Sequence, residues 1–221
     1  MDTARIAALL EPFLEPALPL STLDQISTYI DLLLRWNARI NLTGIRRPEE
    51  IVTRHFGESF FLARHLFPKS GTDHRPLTTD HRPPRVLDIG SGAGFPALPL
   101  KLWAPHIYLT LVESNHKKAA FLSEVARALT LTNITVITDR AEALAAGPDF
   151  PRTEVVTLRA VEHFNTILPQ AVTLLAPHAT LALLIGATQI PHLTTLSTMK
   201  WHPPIPIPQS DTRVLSIGVR E

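Results

Sequence analysis

From Arg85 onward the chain alternates short apolar runs, rich in β-branched residues, with stretches of helical period. The runs are VLDIG (86–90), IYLTLVE (107–113), ITVITD (134–139), EVVTLRA (154–160) and TLALLIG (180–186), with helices predicted near 97–103, 116–131 and 164–175. Strands joined through helices need crossover connections, so this half of the chain is α/β with a mostly parallel sheet. Two further runs, 205–207 and 213–219, lie a short gap apart and predict an antiparallel hairpin at the sheet's edge, giving seven strands in all. Ligands of such sheets bind beyond the carboxyl ends of the strands, so the turns after the strands are where function is expected.

The preceding segment reads differently. In residues 22–36, TLDQISTYIDLLLRW, the residues Leu23, Ile26, Ile30, Leu33 and Leu34 recur at helical spacing, with Ser21 placed as an N-cap. A second helix opens at Pro48, followed by Glu49 and Glu50, and runs to about Leu66 with Val52, Phe56, Phe60 and Ala63 as its buried stripe. Residues 69–84 contain TDHRP twice, at 72–76 and 79–83, in a background of Pro, Thr and charge that has nothing to bury. Three parts follow: a helical extension (1–68), a flexible surface insertion (69–84) and the α/β domain (85–221).

Several classes are excluded by composition. The chain of 221 residues has no cysteine, which rules out disulfides, thiolate zinc sites and cysteine nucleophiles. Its ten histidines form no H-E-x-x-H pattern, so no metal is expected. No run reaches the roughly 20 apolar residues of a membrane span, and the start, MDTARIAALLEPFLEP, has an early acidic residue and no Ala-x-Ala site; a soluble, cytoplasmic monomer without a membrane partner is expected. The net charge of +1 is unevenly spread: residues 35–85 carry ten basic and five acidic side chains, whereas residues 1–34 carry one and five. An anionic partner should therefore meet the middle segment first, through Arg35, Arg39, Arg46, Arg47 and Arg54.

The run RVLDIGSGAGFPALP (85–99) places glycines at 90, 92 and 94 directly after a strand. A dinucleotide fingerprint, G-x-G-x-x-G, needs its third glycine at position 95, which is Phe95, and no G-K-[ST] follows for a triphosphate. The spacing is D-x-G-x-G-x-G from Asp88, and it resembles the first motif of class I S-adenosylmethionine-dependent methyltransferases. Glu113 ends the next strand about 20 residues on, where a carboxylate can accept both hydroxyls of a ribose.

WNARINLT (36–43), RHFGES (54–59), LDIGSGAGFPALPL (87–100), LVESNHKKAAFL (111–122), DRAEAL (139–144) and LRAV (158–161) follow in an order that resembles the bacterial 16S ribosomal RNA guanine-N7 methyltransferases, the glucose-inhibited division protein B family. The resemblance implies a Rossmann-like methyltransferase sheet with an N-terminal helical extension, S-adenosylmethionine as cofactor, and 16S rRNA or the small ribosomal subunit as partner, with a guanine in the loop around position 527 as target. It also implies cofactor contacts at Gly90 and Phe95 by the methionine end, at Glu113 by the ribose, at Ala141 and Glu142 by the adenine, and at Arg159; Asp88 and Gly92, in the turn itself, are likewise expected to bind the cofactor. The sequence departs from the family in three places: Ile185 stands where a lysine is usual before the glycine, Glu58 replaces an aspartate and Ala97 a glycine.

Guanine N7 has an in-plane lone pair and no proton, so no general base is needed and no catalytic residue is assigned. Placement alone is worth about 7–11 kcal/mol for well-aligned reactants. His55 and Arg159 are the positioning candidates. His55 either meets the guanine or makes a structural hydrogen bond, with Ser59 one turn on. Trp36 stacks on a base or packs between extension and core, and Asn41 meets a base edge or loop backbone. Lys117 and Lys118 are solvated or meet phosphate. A catalytically idle S-adenosylmethionine- or RNA-binding assembly factor is the alternative.

Overall fold

The computed structural model describes residues 1–69, 82–147, 150–160 and 163–221. Most of the TDHRP repeat lies outside the described residues.

Helix α1 (Thr3–Leu10), which the sequence reading did not anticipate, is capped by Asp2 accepting from the Ala4 amide, and a 3-10 turn (Glu11–Phe13) follows it. Helix α2 (Leu20–Asn37) begins two residues before the predicted start, on Pro19 rather than with Ser21 as its cap. The second predicted helix has its expected limits but is not a single α-helix. A first turn, α3 (Pro48–Glu50), leads into a π-helical segment, Ile51–Gly57, and then into α4 (Glu58–Leu66). All four residues of the predicted stripe, Val52, Phe56, Phe60 and Ala63, are fully buried.

Parallel strands β1 (Arg85–Ile89), β2 (Tyr108–Val112), β3 (Ile134–Ile137), β4 (Thr153–Arg159) and β5 (Leu175–Gly186) alternate with helices α5 (Ala97–Trp103), α6 (His116–Ala128), α7 (Ala141–Ala146) and α8 (Phe164–Thr173). A short helix α9 (Ile190–Leu193) precedes β6 (Met199–Trp201), β7 (Ile205–Pro206) and β8 (Arg213–Arg220). The seven predicted strands are all present and an eighth, β6, joins them: the path of the sheet is β3-β2-β1-β4-β5-β8-β6, and the two-residue β7 pairs with β8 beside β6. The predicted antiparallel pairing of β7 with β8 is present, but β8 also pairs antiparallel with β5 and so lies inside the sheet; β6, too short for periodicity to announce, forms the edge with β7.

Alternation divides the core. Val86, Ala182 and Leu184 face an apolar cluster shared with α1, α2, α4, α5 and α6, while Leu87, Ile89, Leu181, Leu183 and Ile185 face a second cluster with α8. The extension thus forms one wall of the sheet's own core. Chain order reverses between β1 and β4, and the crevice that this opens at the carboxyl edge holds the site.

Candidate functional site

A cleft of about 760 Å³ opens at the carboxyl ends of β1 to β4. Its floor is the turn after β1, where Gly90, Gly92 and Gly94 all have positive φ (68°, 54° and 86°), a conformation costly for residues with a Cβ. The amides of Gly90 and Ser91 both donate to the Val112 carbonyl (2.9 and 3.0 Å), so β2 shapes this turn. Glu113, buried at the end of β2, adds to it: Oε2 accepts from the Gly92 amide and Oε1 from the Asn115 amide, each at 2.8 Å. A carboxylate has about four acceptor positions, so two remain for a ligand.

Asp88 lies beneath the turn rather than on the cleft wall. Its Oδ1 accepts from Thr157 on β4 at 2.5 Å, its Oδ2 has no partner, and burial pushes the carboxyl up to about 6. Gly90, Gly92, Phe95, Glu113, Ala141, Glu142 and Arg159 all line the cleft. Lys118 lines it too, and Lys117 is exposed.

The opposite wall comes from the extension. His55 lies in the π-helical segment, with its ring stacked on Phe95 (centroids 4.6 Å apart, planes at 19°). Its Nε2 shares a 2.8 Å hydrogen bond with Thr43 Oγ1, and its Nδ1 is buried without a partner. Burial first, then the charges of Arg159, Arg54 and Arg213, lower its pKa to about 2, so the imidazole is neutral at physiological pH. Ser59 bonds the His55 carbonyl (2.5 Å). Trp36 packs rather than facing the cleft: its Nε1 donates to Glu124 on α6 (3.1 Å) and its ring meets Phe121 edge-on. Asn41 is exposed, and Asn37 holds the loop instead, donating to the Thr43 carbonyl and accepting from the Leu42 and Thr43 amides.

Three arginines converge on Glu58, whose side chain is only 1% exposed. Arg54 Nε lies 3.1 Å from Oε1, and the Nη2 atoms of Arg159 and Arg213 each lie 3.0 Å from Oε2. Arg159 also donates to the Arg54 carbonyl (2.6 Å), and burial lowers its pKa to about 10, which leaves it charged at neutral pH. Arg213 Nη2 is not aligned for a hydrogen bond to Glu58, so this atom and Nε are buried donors without acceptors. One carboxylate faces three cations, which leaves a net positive charge on this wall of the cleft. Arg35, Arg39, Arg46 and Arg47 are exposed outside the cleft, so the structure separates them from Arg54.

Residues 22–199 match the profile of the family described as rRNA small subunit methyltransferase G. The chain belongs to that family. Among its relatives are the ribosomal RNA small subunit methyltransferases G of Roseiflexus castenholzii (strain DSM 13941 / HLO8), 43% identical over 66% of this chain and 57% of that protein, and of Bacillus subtilis (strain 168), 36% identical over 66% and 56%. The chain thus spans little more than half the length of these two relatives. The protein from Xylella fastidiosa (strain 9a5c) is 38% identical over 79% of this chain and 76% of its own length. The fold is similar to the ribosomal protein L11 methylase of Lactobacillus delbrueckii subsp. bulgaricus (TM-score 0.59, 12% identity, covering 81% of each chain) and to TrmN of Thermus thermophilus (TM-score 0.54, 19% identity, 77% of this chain and 53% of that one).

In this member of the methyltransferase G family, the sequence reading missed Arg213, Thr157, Tyr29 and the central place of Glu58. Arg213 was within reach, because the amino end of an antiparallel strand lies at the same sheet edge as the carboxyl ends of parallel ones. Ile185, in place of the family lysine, is buried in the second apolar cluster and does not line the cleft.

Proposed function

We propose that this chain is an S-adenosylmethionine-dependent methyltransferase that acts in the cytoplasm on N7 of a guanine in 16S rRNA. The observation that carries the reading is the turn from Gly90 to Gly94 pinned by Glu113. Its glycines open a cradle that a Cβ would strain, and the two free acceptor positions on Glu113 suit a pair of ribose hydroxyls. The backbone around Ala141 and Glu142 then meets the adenine, and Gly90 and Phe95 meet the methionine end. S-adenosylmethionine supplies a methyl group on a sulfonium sulfur, which guanine N7 accepts without a base.

The chain's own residues then have positioning work to do. A neutral His55 adds no charge beside a purine that becomes cationic. Arg159 is held by Glu58 and the Arg54 carbonyl, and Arg213 offers its free donors to an anionic group of substrate or cofactor. The exposed Arg35, Arg39, Arg46 and Arg47 are proposed to meet RNA phosphates. Small subunits and naked 16S rRNA from cells lacking this activity should take up label from methyl-labelled cofactor, at a guanine that borohydride and aniline then cleave. Cofactor and RNA binding with no incorporation into either substrate would favour the idle assembly factor; incorporation at another atom would overturn the N7 assignment.

A further inference from the structure

The third glycine of the turn has a partner outside the sheet. A Cβ built on Gly94 would run into Tyr29 Oη, nearer than to Leu98 on α5 or Leu122 on α6. Tyr29 belongs to α2 of the extension, is fully buried, and donates its hydroxyl to the Ala93 carbonyl at 2.5 Å across 64 residues of chain. Its ring lies parallel to Phe95 (5.3 Å, 7°), and Phe95 is stacked in turn on His55. Phe56 closes this pile edge-on, against Tyr29 at 5.2 Å and Phe95 at 5.1 Å. Burial first, and then the Asp88 charge, raise the Tyr29 pKa well above its ordinary value, so the hydroxyl remains a donor.

We propose that Tyr29 is a positioning residue for the cofactor: its hydroxyl on Ala93 and its ring on Phe95 set the shape of the glycine turn, making the helical extension part of the cofactor site. The inference rests on the S-adenosylmethionine reading above. It accounts for a third glycine one place earlier than in a dinucleotide fingerprint. That glycine leaves room for a tyrosine oxygen, while its amide donates to Ser91 (2.6 Å) to close the turn. A ligand that presses on Ala93 or Phe95 therefore presses on α2, and a strain in α2 reaches the turn.

The protein has two tyrosines, Tyr29 and the half-exposed Tyr108, which starts β2 at the opposite end of the sheet from the cleft. In protein labelled with 3-fluorotyrosine, and assigned with Tyr108→Phe, titration with S-adenosylmethionine should move the Tyr29 fluorine resonance and leave that of Tyr108 in place. Tyr29→Phe, which removes only the hydroxyl, should raise both the Kd and the KM for S-adenosylmethionine about tenfold while kcat stays within twofold. A purely structural tyrosine would lower the melting temperature without changing the KM of the folded fraction. Wild-type binding with an unmoved Tyr29 resonance overturns the inference, as does a folded Tyr29→Phe of unchanged Kd. If Tyr29→Phe does not fold, the fluorine titration of wild-type protein decides alone. A wild-type protein that binds no S-adenosylmethionine overturns the functional reading itself, and this inference with it.

Discussion

His55 and Asp88 are two buried ionisable groups of the site whose neutral forms are favoured, and they pull stability in opposite directions with pH. The imidazole of the unfolded chain takes a proton near pH 6.5, which folded His55 refuses until about 2, so its share of stability is intact above 6.5 and is lost as the pH falls, by about 1.4 kcal/mol per unit. Asp88 is protonated at about 6 when folded and at 3.8 when unfolded, so its contribution is full below 3.8 and gone above 6. Between about pH 4 and 6 the two slopes nearly cancel. His55→Gln removes only the first. In urea melts the variant should gain on the wild type by about 1.4 kcal/mol for each unit of acidification below 6.5; parallel curves would mean that the folded imidazole titrates as freely as the unfolded one.

At the scale of elements, the π-helical segment between α3 and α4 matters most to the site, because it carries Arg54 and His55 to the cleft. Such segments recur at functional sites, where the extra residue re-aims side chains. Gly57 ends the segment against the 3-10 turn: a Cβ there would meet the Phe13 ring at 2.7 Å. Gly57→Ala should cost about 1–3 kcal/mol by overpacking. In Phe13→Leu the same change should cost at least about 1 kcal/mol less, a coupling readable from a double-mutant cycle by chemical denaturation. Strict additivity would show that the contact is relieved at no cost. The period of Val52, Phe56, Phe60 and Ala63 made this helix legible in the sequence, but not its π-helical turn, since the same stripe fits either winding. α1 was not read for a different reason: its buried residues, Ile6 and Leu10, are too few to set a period.

Across the whole molecule, the unequal spread of charge becomes a spatial separation. Arg54, Arg159 and Arg213 gather at the cleft around Glu58, whereas Arg35, Arg39, Arg46 and Arg47 stay exposed on the extension. Replacing those four with glutamine should reduce the slope of log K against log salt for RNA binding by about 3, at roughly 0.7–0.9 per phosphate contact, and leave cofactor affinity unchanged. Fluorescence anisotropy with a 16S rRNA fragment at several salt concentrations measures this, and an unchanged slope would remove these residues from the interface.

Local pattern alone determined seven of the strands, the glycine turn, the acidic end of β2 and the order in which the longer elements follow, because side-chain period and turn stereochemistry act over a few residues. Only the tertiary structure decided what those pieces hold. Tyr29 reaches the turn from 64 residues away, and Arg159 meets Glu58 across 101. Arg213 joins them because β8 runs antiparallel and brings its first residue to the carboxyl edge of the sheet. Such contacts follow from where the chain returns in space, which no short stretch of residues encodes.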